Sequence, residues 1–144
     1  MTIAIINTDM NIGPFKIPGN GQNMILNNYA ERNGFVVQAI IPEPFMSNSL
    51  ATTQWVHKEK KLKKVILCSI YQLPSKKNRL NQLIKNMKNV EFHFALEGIS
   101  GKGSKFLIKC IQEAQIFKRA KIIDSTKTTW SELYTIKSKQ ENKE

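Results

Sequence analysis

The sequence predicts an α/β domain of three layers, in which a mostly parallel sheet of about four or five strands carries helices on both faces. Short runs of apolar, β-branched residues, typical of buried strands, alternate with segments of helical periodicity. Glycine and proline clusters separate these segments. The length of 144 residues, 41% of them hydrophobic, suits one such core. Since strands and helices alternate, right-handed crossovers and parallel strand pairing follow.

The first elements of this pattern are a strand and a helix joined by a loop. Residues 2–7 are apolar and β-branched, which predicts a buried strand. Glycines and prolines across 10–21 indicate a loop. Apolar residues recur at helical spacing over 22–33, and Gly34 is suited to end that helix because glycine readily adopts the left-handed conformation found there.

The middle of the chain predicts two further strands and the helix between them. Residues 35–41 are expected to form the second strand, which Pro42 would end. Residues 65–70 form the clearest strand of the chain. A helix over about 47–60 would turn its apolar residues inward, namely Leu50, Trp55 and Val56.

The last part of the chain predicts an amphipathic lysine-rich helix at 76–88, a fourth strand at 90–96 and a long helix at 104–120. We expect residues 121–124 to add a short edge strand and to complete a domain over 1–124, followed by a polar tail or short helix at 125–144. The long helix carries an apolar stripe that would cover the sheet or, alternatively, seal a homodimer, formed by Phe106, Leu107, Cys110, Ile111, Ala114 and Phe117.

Charge and composition restrict the environment and the partners. The net charge of +11 suggests an anionic partner, yet only three of the 22 basic residues are arginines, the side chain best suited to bidentate phosphate recognition. Nucleic acid is therefore the less favoured partner, and AT-rich coding explains an excess of lysine equally well. No run approaches the roughly 18 apolar residues needed to cross a membrane, so we expect a cytoplasmic protein. Cys68 and Cys110 are expected to be buried free thiols.

The carboxyl ends of the predicted strands select a candidate pocket, since open parallel sheets bind ligands there. Asparagine and glutamine side chains would hydrogen-bond hydroxyl groups, Tyr71 could stack on a ring, and His93 and Glu97 are the candidate acid–base pair. The expected ligand-binding positions are Asn7, Asp9, Gln22, Asn23, Glu43, Ser69, Tyr71 and Gln72.

Each of these sites has a simpler interpretation. For His93, a buried histidine with a satisfied hydrogen bond is the favoured reading, and Glu97 could equally cap a loop or helix. The stretch 101–104 could cradle a phosphate, but a loop capped by Ser104 is favoured. The sequence has no GxSxG, CxxC or HExxH motif, and we expect neither a metal nor a cofactor.

In the order of its elements the chain resembles the catalytic domain of resolvase/invertase-type serine recombinases, a flavodoxin/resolvase-like fold. The resemblance covers about residues 2–120, chiefly 2–9, QNMILNNYAERNG at 22–34 and the segment 65–99. It places Asn7 where that family has its nucleophilic serine and Ile5 where it has an arginine. The family's arginine-rich turn corresponds to 71–75, which has no basic residue. We therefore expect no strand cleavage, because phosphoryl transfer needs a nucleophile and facing cations.

A second resemblance is to the small sporadic carbohydrate cluster family, found among bacterial surface-polysaccharide genes. It rests on short motifs that occur in the family's order, namely IPGNGQN at 17–23, EPFM at 43–46, SIYQLP at 69–74 and FHFALE at 92–97. This resemblance implies a role in lipopolysaccharide or related glycan synthesis without naming a reaction. The favoured hypothesis is thus a protein that binds a small polar metabolite or a glycan-pathway protein. The alternative is a DNA-binding, non-cleaving resolvase-like protein.

Overall fold

The computed structural model describes residues 1–44 and 49–127, with side chains up to residue 116. The chain divides into two compact units, Met1–Ile111 and Gln112–Glu144. The strands of the described residues are, in chain order, β1 (Thr2–Asn7), β2 (Asn11–Ile12), β3 (Phe15–Lys16), β4 (Ala39–Glu43), β5 (Lys64–Leu67), β6 (Glu91–Phe94) and β7 (Ile99–Gly101). The helices are α1 (Gly19–Arg32), α2 (Ala51–Lys60), α3 (Lys77–Asn86) and α4 (Ser104–Lys127).

Five of these strands form one sheet in the order β4-β1-β5-β6-β7, in which the first four are parallel and β7 is antiparallel to β6. The chain leaves β1 for β4 on one side and then crosses to β5 on the other. The strand order therefore reverses between β1 and β5, which is where open sheets of this kind form their ligand crevice. The short strands β2 and β3 pair separately as an antiparallel hairpin.

Both faces of the sheet are covered. On one face Ala4 and Ile66 pack against Leu26 and Tyr29 of α1. On the other face Phe94 lies against Phe106 in the first turn of α4, with ring centroids 6.1 Å apart. Side chains alternate between the faces along each strand, so a strand in the middle of the sheet is buried on both sides. The three-layer, mostly parallel α/β architecture predicted from the sequence is confirmed.

The second parallel strand lies further along the chain than the sequence predicted. It covers Ala39–Glu43 instead of 35–41, and Pro42 lies within it. A proline is tolerated here because β4 is an edge strand, and the missing N–H can face away from its only neighbour. Phe35 instead follows the end of α1, with its backbone N–H donating to the carbonyl of Ala30 at 2.8 Å.

The inward face of α2 also differs from the prediction. The helix begins at Ala51, and Thr53 is the residue it buries completely, whereas 63% of the Trp55 surface is exposed. Thr53 is drawn inward because it binds a buried carboxylate described below. Leu50, directly before the helix, is buried as expected.

The expected edge strand at 121–124 is wrong, since these residues lie within α4. Of the predicted apolar stripe of this helix, Leu107, Cys110, Ile111 and Ala114 are buried. The side chain of Phe117 is not among those described, and residues 128–144 of the predicted tail lie outside the described part of the chain. Among the helices in the described ranges, none combines the length and the apolar character needed to span a bilayer.

Candidate functional site

Gln22 connects the first turns of α1 to the end of β1. Its Oε1 accepts from the backbone N–H of Asn7 at 2.7 Å, and its Nε2 donates to the carbonyls of Asn7 at 3.0 Å and Ile17 at 2.8 Å. The side chain is fully buried. Because both N–H donors are used within the protein, Gln22 supports the site and has no donor left for a ligand.

Gln72 also holds Asn7 in place, through hydrogen bonds that connect it to the residues after β5. Its Nε2 donates to Oδ1 of Asn7 at 3.1 Å, while its Oε1 accepts from the backbone N–H of Cys68 at 2.6 Å and of Ser69 at 3.3 Å. The Ser69 hydroxyl accepts in turn from the N–H of Tyr71, which completes a capping box around the short 3-10 helix Ile70–Gln72. We call Asn7, Gln22 and Gln72 the amide network.

Glu97 joins the turn after β6 to the same 3-10 helix. Its Oε1 accepts from the backbone N–H of Ile70 at 2.5 Å, and the residue is half-buried. Burial, together with the Glu97 charge, raises the pKa of the Cys68 thiol to about 12 and also raises the pKa of Tyr71. Cys68 is therefore a neutral thiol near neutral pH and a poor nucleophile.

Among the polar residues at the carboxyl ends of the strands, Glu43 at the end of β4 is unusual because its carboxylate is buried. It is 3% exposed, and its Oε1 accepts from both the backbone N–H and the hydroxyl of Thr53, at 2.6 and 2.8 Å. Its other oxygen, Oε2, is buried and has no hydrogen-bond partner among residues 1–44 and 49–127. Glu43 is also the register partner of Asn7 in the neighbouring strand. The sheet thus holds a fixed, buried carboxylate oxygen with free acceptor capacity beside the amide network.

Asp9 and Asn23 contribute two more free acceptors close to β1 and α1 in the chain. Oδ1 of Asp9 accepts weakly from the N–H of Asn11 at 3.4 Å, but its Oδ2 is buried without a partner. Oδ1 of Asn23 is also buried, and none of the described residues donates to it. Buried acceptors of this kind are rare in folded proteins, because each one loses its bonds to water.

Tyr71 packs against the hairpin of β2 and β3. Its ring meets Phe15 edge-on, with centroids 6.2 Å apart and an interplanar angle of 74°. Gly13, at φ +58°, lies directly against the Tyr71 ring, so that a Cβ at this position would come within 2.6 Å of Cδ1. Part of the Tyr71 ring, which the sequence analysis expects to stack on a ligand, is therefore covered by the protein itself.

His93 lies in a separate polar cluster on the α1 face of β6. Its Nδ1 is 2.8 Å from the Tyr29 hydroxyl, and its ring meets Phe35 edge-on at 4.9 Å. Its Nε2 is 2.7 Å from Oε1 of Glu91, although the N–H is not aligned with that oxygen as in a regular hydrogen bond. Burial lowers the pKa of His93, opposed by Glu91 and assisted by Lys64.

The structure therefore brings together only part of the predicted set. Asn7, Gln22, Gln72 and, through Ile70, Glu97 form one connected arrangement at the ends of β1, β5 and β6. The contacts of His93 involve other residues, so His93 and Glu97 do not form a hydrogen-bonded pair. Sequence reasoning missed Thr53, because nothing in the chain identifies the threonine that will meet a buried carboxylate.

Within the described ranges, no cluster of three or more histidine, cysteine, aspartate or glutamate side chains could hold a metal ion. The polar groups of the strand ends offer hydrogen-bond acceptors and a rigid support. They offer no hydroxyl nucleophile at position 7, and Ile5, two residues before it, is fully buried.

The sheet order and the position of this edge define a resolvase-like α/β fold. Among solved structures, the chain is similar to the N-terminal catalytic domain of TP901-1 integrase, with a TM-score of 0.56 and 16% sequence identity. The match covers 84% of this chain and 96% of that domain. No family model matches the chain, and no curated protein matches it either. The resemblance to recombinases is thus established as a likeness of fold, and the carbohydrate-cluster resemblance rests on its short motifs alone.

Proposed function

We propose that the protein binds a hydroxyl-rich metabolite, such as a sugar or the sugar part of a nucleotide-sugar, at the ends of β1 and β4. The observation that carries this proposal is the free Oε2 of Glu43, a carboxylate oxygen held in place by Thr53 but lacking a donor in the part of the chain that the structure describes. In this view the chain is a resolvase-fold protein that has no strand-cleavage activity.

The chemistry of Glu43 selects the class of ligand. A buried acceptor without a partner costs about 1–3 kcal/mol, and a ligand hydroxyl that donates to it removes this cost. A phosphate group would be repelled by the same carboxylate, since like charges oppose each other strongly away from water. A neutral hydroxyl is therefore the group we expect to meet Oε2.

The surrounding residues support this role. The amide network fixes the end of β1 beside Glu43, so that this part of the site needs little ordering on binding. A ligand reaches Oε2 by displacing the groups that cover it, because this oxygen is buried in the free protein. Asp9, two residues after Asn7, supplies a further acceptor that has no partner among the described residues. Acceptors in excess of donors suit a ligand that presents several hydroxyl groups.

The biological setting follows from the motif resemblance. Glu43, Gln22 and Gln72 each lie in one of the short motifs shared with the sporadic carbohydrate cluster family. We accordingly place the protein in the cytoplasm, as an accessory or metabolite-binding component of surface-carbohydrate synthesis, with a glycan-pathway protein as a further partner.

A thermal-shift experiment on the full chain tests the Glu43 site. Glucose, glucose phosphate and uridine diphosphate glucose are compared on the wild type, on Glu43→Gln, and on Glu59→Gln as an exposed control of equal charge change. A ligand that binds the native state raises its melting temperature. We expect stabilisation of the wild type and the control and its loss in Glu43→Gln, which replaces one carboxylate oxygen by a donor. Equal stabilisation of all three proteins would contradict the proposal.

A second candidate function is DNA binding without cleavage, which the structural likeness to an integrase catalytic domain favours. The net charge of +11 is compatible with it. A gel-shift titration at two salt concentrations tests this candidate, because binding through phosphate contacts weakens steeply as salt rises. Retained binding at the higher salt, or none at the lower, would exclude the electrostatic mode.

A further inference from the structure

A groove between α2 and α3 is lined by none of the residues of the proposed ligand site, although Thr53 directly precedes the lining residue Gln54 on α2. Its volume is about 580 Å³, within the usual range for small-molecule pockets. Asn86, the last residue of α3, donates from Nδ2 to Oε1 of Gln54 at 2.8 Å and so links the two helices at this groove. We call it the Trp55 groove; its lining is Gln54, Trp55, His57, Lys58, Lys61 and Asn86.

Trp55 supplies an aromatic surface to this groove. The sequence predicts a buried Trp55, but 63% of the surface of this residue is exposed. Lys58 follows it by three residues on α2, a spacing that places two helical side chains next to each other. An accessible indole beside an ammonium group offers a stacking face and a positive charge to the same ligand.

The charges of the groove are all of one sign. Lys58 and Lys61 line it, and none of its lining residues is acidic. Positive groups at the end of α2 also offset the partial negative charge of the helix C-terminus. The groove therefore favours an anionic ligand over a neutral or cationic one.

His57 and the two amides add neutral hydrogen-bonding groups. Nδ1 of His57 accepts from the backbone N–H of Leu62 at 2.9 Å, so the neutral ring carries its proton on Nε2 as a donor. Burial lowers the pKa of His57, which favours this neutral form. Gln54 donates one N–H to the carbonyl of Ser49 at 2.7 Å and Asn86 donates one to Gln54, so each amide keeps one N–H and an acceptor site. This is the combination that the edge of a nucleobase requires.

We propose that the Trp55 groove binds a nucleoside phosphate, with the base stacked on Trp55 and the phosphate between Lys58 and Lys61. This inference is independent of the proposed sugar-binding function, since it uses none of the residues of the Glu43 site. A single nucleotide is the occupant that the groove's size favours over a longer strand.

Calorimetric titration of the full chain with adenosine monophosphate tests the proposal. Adenosine, inorganic phosphate and a short deoxyadenosine oligomer are the comparison probes. We expect the double variant Lys58→Gln/Lys61→Gln to bind the nucleotide about tenfold more weakly, because two contacts to phosphate are lost. The matched double variant Lys60→Gln/Lys63→Gln removes the same charge outside the groove and should change affinity by less than about twofold.

Variants of Trp55 test the stacking component. Trp55→Ala should weaken nucleotide binding about tenfold, whereas Trp55→Phe, which keeps a ring, should weaken it less. Melting temperatures of all variants establish that each one is folded. No binding of the nucleotide by the wild type, binding of the oligomer alone, or equal loss in the two lysine double variants would overturn the proposal.

Discussion

The amide network and the Trp55 groove both contain glutamine and asparagine side chains, but the two regions use them differently. Gln22 is fully buried, and both its donors bind backbone carbonyls. Gln54 forms two bonds, from its Nε2 to the carbonyl of Ser49 at 2.7 Å and to its Oε1 from Asn86 at 2.8 Å, which leaves one N–H unused. It lies at the edge of an open groove that also contains the 63% exposed Trp55. The amides of the network therefore use their donors to stabilise the fold, whereas each groove amide keeps one N–H that a ligand can accept.

This comparison separates stability from binding. A polar side chain at the end of a strand is not by itself a ligand contact, because the ends of buried strands also need partners for their own backbone groups. Glu43 differs from the amide network in keeping one oxygen without a partner. We therefore base the proposed binding role of Glu43 on that unused oxygen, and not on its position at the strand end alone.

The largest effect is expected from Gln22→Leu. The substitution leaves the buried N–H of Asn7 without its partner. It also removes one donor from the carbonyl of Asn7, which keeps the N–H of Met10 at 3.3 Å, and one from the part-buried carbonyl of Ile17. We expect a total cost of about 3 kcal/mol in the free energy of unfolding. Urea denaturation measures it. Gln38→Ala, which removes one exposed bond to the N–H of Thr2, is the control and should cost less than about 1 kcal/mol. Equal losses would show that the amide network is not a structural element.

The next largest effect is expected from Gly13→Ala. The new methyl group would come within 2.6 Å of the Tyr71 ring at a residue with φ +58°, and we expect a loss of about 2 kcal/mol. Gly34→Ala is the control, because Gly34 also has a positive φ, at +71°, but a Cβ there would meet no atom within 4 Å. It measures the cost of the backbone conformation alone, which we expect to be about 1 kcal/mol in the free energy of unfolding. If both variants lose equal stability by thermal melting, contact with Tyr71 does not constrain the hairpin.

The cluster of the buried Tyr29 and His93 with the half-buried Glu91 predicts a dependence of stability on pH. Since the pKa of His93 is lowered in the folded state, the unfolded chain takes up a proton first as the pH falls. Stability is therefore retained above the ordinary histidine pKa of about 6.5 and is lost below it, by at most about 1.4 kcal/mol per pH unit.

Melting curves between about pH 7.5 and about pH 5.5 measure this dependence. His93→Gln should show a shallower decline than the wild type, because one titrating group is gone. His57→Gln removes the other histidine, whose pKa is also lowered, and serves for comparison. A decline that is identical in the wild type and His93→Gln would rule out His93 as its source.

The smallest effect is expected in the groove. Lys58→Gln/Lys61→Gln should change the free energy of unfolding by less than about 0.5 kcal/mol, because exposed charges contribute little to stability. Chemical denaturation measures the change. A loss comparable with that of Gln22→Leu would mean that the lysines hold α2 in place, and the contrast between the two regions would fail.

Much of the fold could be predicted from the sequence, because hydrophobic periodicity determines which segments become strands and helices. Residues 2–7 and 22–33 matched β1 and most of α1, and Gly34 has the expected positive φ. The prediction places the second strand too early in the chain, because it takes Pro42 as the end of that strand. Its place in an edge strand depends on the strand order, which local sequence does not encode.

The site was predicted less completely. The strand-end rule selected Asn7, Gln72 and Glu43, which do lie at that edge. It could not distinguish satisfied from unsatisfied side chains, since that difference depends on partners such as Thr53 that are distant from the motifs. The predicted acid–base pair combines His93, which lies in the fourth predicted strand, with Glu97, which directly follows that strand. In the structure, the alternation of side chains along β6 turns His93 toward α1 instead.

The most direct measurement is an NMR titration of the labelled full chain with uridine diphosphate glucose. The backbone N–H of Thr53 donates to Oε1 of Glu43, so a hydroxyl bound at Oε2 should shift the Thr53 amide resonance. We predict a saturable shift at Thr53 in the wild type that disappears in Glu43→Gln. Saturable shifts confined to the Trp55 groove, with Thr53 unchanged, would contradict the assignment of Glu43 as the sugar-binding residue.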